Sequence, residues 1–269
     1  MKLQKLYDNI AATYNQKASA DVLSEANHRA FSYVKNKSIS FRSILALGIG
    51  DGVHLLPYKQ FYPKLTIHGL DISEKMLSKA KALLDCKVYQ GDIASASKLI
   101  GKQDFDLILA HFVCAYVPAS TILKECKFLM SYQAQISIVT NTTASFSKMH
   151  LIFDKMRASA NPFNQLIGHH IKKTLKKVFV PKSLDDLKLV FAENGMKISE
   201  SSIVDIKINL KTEQEVFDFF VEGSWFASGL AHPLVPKKVF HNVIRRLIHE
   251  HLSLPYEDTL QVAIVLGGY

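Results

Sequence analysis

Four short apolar runs end at nearly even intervals along the first half of the chain, and this spacing restricts the fold more than any other feature. Ser43–Leu47 gives way to Gly48, Leu65–Leu70 to Asp71, Cys86–Gly91 to Asp92, and Phe105–Ala110 to His111. The steps between those ends are 23, 21 and 19 residues, each the length of one strand plus one returning helix. Between the second and third, Ser73–Leu84 puts Met76, Leu77, Ala80 and Leu83 or Leu84 on one helical face. Alternating strands and helices require a parallel sheet, and right-handed crossovers bring the strand ends to one edge. Gly48, Asp71, Asp92 and His111 are therefore expected to converge.

The first of these ends is a glycine loop, Leu47-Gly48-Ile49-Gly50-Asp51-Gly52, followed by Val53-His54-Leu55-Leu56. A buried strand that breaks into alternating glycines lets backbone approach a ligand with no Cβ in the way. The dinucleotide fingerprint Gly-x-Gly-x-x-Gly does not fit, because Val53 holds the place of its third glycine. A carboxylate about 20 residues past such a loop suits the two hydroxyls of a ribose, and Asp71 stands there. Asp92 suits the exocyclic amine of an adenine, with Ile72 and Ile93 as apolar faces for its ring. Both carboxylates equally suit caps on the helices that follow them, since Asp71-Ile72-Ser73-Glu74 has the pattern of a helix start.

In order along the chain, Leu47–Gly52, Gly69–Leu77, Gln90–Ile93 and Phe105–His111 resemble the successive motifs of the class I S-adenosylmethionine-dependent methyltransferases. The likeness spans about residues 40–140, with a weaker echo in Tyr7–Tyr14. It implies an α/β fold: a Rossmann-like, doubly wound sheet of seven strands, mostly parallel with an antiparallel last strand, carrying helical lid insertions. It also implies that the loop of Gly48, Gly50, Asp51 and Gly52 passes the methionine moiety of S-adenosyl-L-methionine and that Asp71 holds the ribose. Asp92 with Ile93 would then lie near the adenine, and His111 and Phe112 beside the donor methyl. Ile72, Met76 and Tyr14 complete the expected cofactor set. The family usually places an acidic residue two positions before the first glycine; here that position is Ala46, and Asp51 is expected to substitute for it in part.

The whole of 1–269 is expected to form a single methyltransferase domain: an N-terminal helical cap over 1–40, a cofactor-binding core over 41–141, and substrate covers over 142–181 and 211–256. Gln135–Thr140 reads as the fifth strand, and Ser145–Ala158 and Pro162–Val178 as inserted helices. Leu184–Phe191 reads as a helix stopped by Asn194-Gly195, Lys197–Leu210 as the sixth strand and Leu260–Leu266 as the last. The acceptor is expected to touch Tyr7, Tyr116 and Trp225, with Phe226 beside Trp225 in the second cover.

Methyl transfer from a sulfonium is an in-line displacement, so the protein has mainly to hold nucleophile, methyl and sulfur in line and keep water out. A base is needed only for an acceptor that arrives protonated. His111 is the first candidate because it stands nearest the expected methyl with an imidazole that is neutral near pH 7; a histidine hydrogen-bonded at a strand end is an equal reading. Cys86, Cys114 and Cys126 have no metal-type spacing and an odd count, which suggests a reducing, cytoplasmic setting and no metal. The first residues lack a signal-peptide core, and the apolar stretch Leu107–Val117 is too short to cross a membrane.

Charge bears on the acceptor. Against 24 Asp and Glu stand 33 Lys and Arg, a formal net charge of +9. Four lysines fall in His169–Val178, on what reads as a solvated helix face, an attractor of an acidic substrate, or a contact with an anionic membrane surface. Ala110-His111-Phe112-Val113 lacks the Asn/Asp-Pro-Pro-aromatic run of base-amine methyltransferases, and no aromatic-basic stripe marks an RNA partner. The expected reaction is therefore methylation at O or N of a small, acidic acceptor such as a carboxylate, leaving S-adenosyl-L-homocysteine. RNA or protein methylation, and a cofactor-binding module without catalysis, stand as the alternatives.

Overall fold

The computed structural model describes residues 3–14, 18–37, 40–223, 225 and 237–269. Parts of the expected cap and of the second cover, Phe226 among them, lie outside those residues. In chain order the elements are α1 (Leu3–Ile10), α2 (Ala18–Lys35), β1 (Ser43–Leu47), α3 (Leu56–Phe61), β2 (Thr66–Asp71), α4 (Glu74–Leu83), β3 (Cys86–Gln90), α5 (Ala96–Ile100), β4 (Phe105–His111), α6 (Ala119–Leu129) and β5 (Met130–Asn141). They continue with α7 (Ser147–Ala158), α8 (Pro162–Leu175), α9 (Leu184–Glu193), β6 (Lys197–Leu210), α10 (Glu213–Phe217), α11 (Lys237–His251) and β7 (Tyr256–Gly268).

The strands form one seven-stranded sheet in the order β3-β2-β1-β4-β5-β7-β6. Neighbouring strands from β3 to β5 are parallel, and β7 runs antiparallel to β5, pairing Gln135 with Gly268 through Asn141 with Val262. This is the arrangement expected from the sequence, the last strand lying between its neighbours. The order reverses between β1 and β4, and in open α/β sheets ligands settle outside the carboxyl ends of the strands at such a point.

By internal contacts the chain divides into two compact units, one of Met1–Val22, Ala144–Val178 and Asp205–Leu260, the other of Leu23–Thr143, Phe179–Val204 and Gln261–Tyr269. In the second unit the central strands β1 and β4 are buried on both faces, which is why they are nearly continuous apolar runs rather than alternating ones. Ile44 and Ala46 of β1 join Val34, Tyr58, Leu77, Leu107 and Leu109 in one core. Leu45 and Leu47 join Ile93, Ile122, Leu123, Phe191 and Val265 in the other. The buried stripe of α2 in this unit, Ala26, Ala30 and Val34, repeats every fourth residue, as a helix facing a core requires.

In the first unit α7 and α8 pack closely. A Cβ on Gly168 would come 2.9 Å from the Arg157 backbone nitrogen, and Lys172 pairs with Asp154 at 3.0 Å. The N-terminus of α7 has no side-chain cap of its own, since Phe146, at φ 60°, occupies that position. Asp258 of β7 supplies one: its Oδ2 accepts from the Lys148 and Met149 amides at 3.1 and 3.3 Å and from the Tyr256 hydroxyl, while Oδ1 accepts from the Thr259 amide at 2.9 Å. Removing this carboxylate leaves amides at the start of α7 without it, and hydrogen bonds to a charged group contribute about 1.5–3 kcal/mol each. Asp258→Ala is expected to cost about 2–4 kcal/mol, with the first-turn amides of α7 losing hydrogen-exchange protection before the strands of the second unit do. Uniform loss of protection in both units would count against this local role.

Also in the first unit, a π turn over Asp218–Glu222 follows α10 and turns both Phe219 and Phe220 inward. Phe220 and Trp225 meet Phe146 edge-on at 5.2 and 5.3 Å, and Trp225 stacks on Phe219 at 5.8 Å. Among the described residues, no helix is long and apolar enough to cross a membrane.

Candidate active site

The glycine loop is fastened to its neighbours by backbone. The amides of Gly48 and Ile49 both donate to the Leu70 carbonyl, at 2.7 and 3.0 Å, which ties the end of β1 to the end of β2. Ile49 then lies against Gly69, where a Cβ would come within 2.3–2.9 Å of the isoleucine side chain. At Gly48, with φ +75°, a Cβ would come 2.4 Å from Val113 Cγ1 and 3.8 Å from Ile93 Cδ1. The loop is thus closed upon the segments that follow β3 and β4. On the side of Gly50, no heavy atom of the described residues beyond its chain neighbours lies within 4 Å of the place a Cβ would take.

Asp71 is held by this loop and holds it. Its Oδ2 accepts from the Gly50 amide at 2.9 Å and its Oδ1 from the Ser73 amide at 2.9 Å. Ser73, not Asp71, caps α4, its hydroxyl accepting from the Met76 amide at 3.2 Å. Asp92 caps the short 3-10 turn Ile93–Ser95, accepting from the Ala94 amide at 2.9 Å. The capping and ligand readings are compatible for both carboxylates, because an ionised carboxylate offers about four acceptor sites. Asp51 makes a tight local turn, accepting from the Val53 amide at 3.2 Å. Ala46 is enclosed in the apolar core, and so is Met76.

At the end of β4, His111 is 8% exposed, and both ring nitrogens are engaged: Nδ1 lies 2.7 Å from Asn27 Oδ1 and Nε2 3.0 Å from Ser137 Oγ. A carbonyl oxygen only accepts, so Nδ1 carries the proton and Nε2 accepts from the serine hydroxyl. The half-buried His54 ring stands 5.7 Å away. Burial, with His54 adding to it, holds the His111 pKa well below the usual imidazole range. Burial likewise pushes His54 down to about 4, partly opposed by Asp51. Phe112 has φ 56°, an uncommon conformation for a bulky residue, and its amide donates to the Val139 carbonyl at 2.7 Å.

Two imidazoles kept neutral in the fold have a consequence for stability. An unfolded histidine takes a proton near pH 6.5, so between that pH and about 4 the unfolded chain binds more protons than the folded one. Stability is therefore complete above pH 6.5 and declines as the pH falls through this window. Urea midpoints measured at neutral pH and at steps down towards the lower bound are expected to fall steadily, and to fall less steeply in His54→Gln. An unchanged slope in that variant would count against the contribution of His54.

Of the residues picked out by the sequence, the structure brings together Gly48 with Ile93 and Gly50 with Asp71, and it sets His54, just after the loop, beside His111. Tyr116 packs against the core that holds Ile93 and Ile122. Tyr7 and Tyr14 lie in the first unit, meeting edge-on at 6.0 Å, and Trp225 belongs to that unit's aromatic cluster. Sequence reading missed Asn27, Ser137 and the part played by His54, none of which stands in a motif. Among the described residues, no group of three histidine, cysteine or acidic side chains is placed to hold a metal ion.

Residues 44–131 match a family model described as a methyltransferase domain. The fold is shared with a candidate methyltransferase from Bacillus halodurans, at 11% identity and a TM-score of 0.57 over 90% of this chain and 97% of that one. It is shared also with the YcgJ protein of Bacillus subtilis, at 13% identity and 0.53 over 90% and 98%. A third is the candidate methyltransferase in complex with the Haloferax volcanii Trm112 methyltransferase activator, at 12% identity and 0.56 over 97% and 96%. No curated protein sequence matches the chain. The matched stretch contains β1 to β4 with the glycine loop and Asp71, and over these residues the chain carries a methyltransferase domain.

Proposed function

We propose that the chain binds S-adenosyl-L-methionine at the carboxyl ends of β1 to β4 and transfers its methyl group to O or N of a small, acidic acceptor. The observation that carries the cofactor site is Asp71: it anchors the Gly50 amide at 2.9 Å, while a Cβ at Gly50 would meet none of the described residues within 4 Å beyond its chain neighbours. Such a cradle suits backbone amides and a carboxylate meeting a polar ligand at close range.

Within it, Gly48, Gly50, Asp51 and Gly52 line the amino acid end, Asp71 accepts from the ribose, and Asp92, Ile72 and Ile93 meet the adenine. Phe112 shields the reacting centre from water. The cofactor supplies an electrophilic methyl on a sulfonium; the side chains orient the partners, which is most of what an in-line displacement requires. His111 is assigned no proton transfer, because both its nitrogens are committed and burial disfavours the protonated ring that accepting a proton would create. The acceptor is accordingly one that arrives without a proton to lose, as a carboxylate does. A net charge of +9 favours an acidic molecule of this kind.

The test is incubation with methyl-labelled S-adenosyl-L-methionine and, separately, acidic metabolite fractions, RNA and protein. Label is expected in the acidic small-molecule fraction, in a product that mild base saponifies if the acceptor is a carboxylate. Label in RNA or protein alone would overturn the proposed acceptor class.

A further inference from the structure

The hydrogen bonds through His111 involve residues to which methyl transfer assigns no part. Asn27 stands on the stretch of α2 within the second unit, His111 ends β4, and Ser137 lies on β5 in register with Leu109. One imidazole therefore fastens a helix to two strands, by contacts of 2.7 and 3.0 Å. The Asn27 carbonyl fixes the proton on Nδ1, and the Ser137 hydroxyl occupies the lone pair of Nε2. The next residue is Phe112, whose backbone adopts positive φ and whose amide is held by Val139. Conformations of this kind persist only where the surroundings over-determine them, and the pinned imidazole is part of those surroundings.

We propose that Asn27 is a positioning residue for methyl transfer: through His111 it holds α2 to the end of β4 and to β5 and so sets the Phe112 turn beside the donor. This rests on the cofactor site described above and deepens it, adding Asn27 and Ser137 to the groups that shape the site. His111 acts as the pin between them. A buried neutral imidazole with one donor and one acceptor contact is well suited to that part, since each nitrogen meets one partner of the matching kind.

Nitrogen-15 spectra of the histidines in the full-length protein, free of ligand, read the tautomer directly. The expected result is a neutral His111 protonated at Nδ1 at pH 7; a proton on Nε2, or an imidazolium, would overturn the proposal. In Asn27→Ala the tautomer preference is expected to relax, and S-adenosyl-L-homocysteine to bind about threefold to tenfold more weakly, the range set by loss of one hydrogen bond. Asn27→Asp retains an accepting oxygen and should restore both the Nδ1 proton and the affinity. Alanine and aspartate variants that bind alike, whether both intact or both impaired, would sink the positioning role. Wild-type protein that binds no S-adenosyl-L-homocysteine would instead refute the cofactor site itself.

Discussion

Asp71→Ala is expected to lower affinity for S-adenosyl-L-homocysteine by about 10²–10⁴-fold, from the loss of two charge-assisted bonds at about 1.5–3 kcal/mol each. Two effects contribute. The carboxylate is the proposed acceptor from the ribose, and it also anchors the Gly50 amide at 2.9 Å and the Ser73 amide at 2.9 Å, so its removal relaxes the loop and the entry to α4 together. Asp71→Asn separates the two. Its amide oxygen still accepts from one backbone amide, while the charge and the second strong acceptor are gone; about tenfold weaker binding is expected, with most of the thermal stability retained. Calorimetric titration of the three proteins checks the order wild type, Asn, Ala. Equal affinity in wild type and alanine variant would remove Asp71 from the site.

Gly48→Ala is expected to cost about 2–5 kcal/mol in urea unfolding and to abolish cofactor binding. The added methyl must tolerate φ +75° and a contact of 2.4 Å with Val113 Cγ1. Left-handed backbone costs a non-glycine residue about 1–2 kcal/mol, and overpacking about 1–3 kcal/mol. The gain from a stiffer unfolded chain, about 0.4–1 kcal/mol, does not offset them. Val113 is branched at Cβ and buried, so it has little freedom to rotate away. Val113→Ala in the same chain should recover part of the lost stability, because it removes the clash but not the strained φ. A Gly48→Ala protein as stable as wild type would show that the loop closes on β4 less tightly than these contacts require.

What could be read from the sequence was what local period and spacing encode. The strand ends at Gly48, Asp71, Asp92 and His111 follow from apolar runs of strand length separated by helix-length intervals, and the parallel order follows from the alternation itself. The glycine spacing was legible because a missing Cβ is a local property: Gly48 lies against Val113, though nothing in the sequence names that partner. Pairings across long separations carry no such signature. Asn27 meets His111 across 84 residues, and Asp258 caps α7 across 110; in each case an ordinary polar residue acquires its role only when the fold delivers a partner. His111 illustrates the limit. Its position at a strand end was plain, but whether it exchanges a proton depends on Asn27 and Ser137, and those contacts favour a pinned ring over a base.

The central claim, a cofactor site at the carboxyl ends of β1 to β4, is tested most directly by titrating S-adenosyl-L-homocysteine into isotopically labelled protein and following the backbone amides. Saturable one-site shifts centred on Gly48, Gly50, Gly52, Asp71, Asp92 and Phe112 are predicted. Saturable shifts elsewhere that leave these amides unmoved, or no saturable change at all, would contradict it.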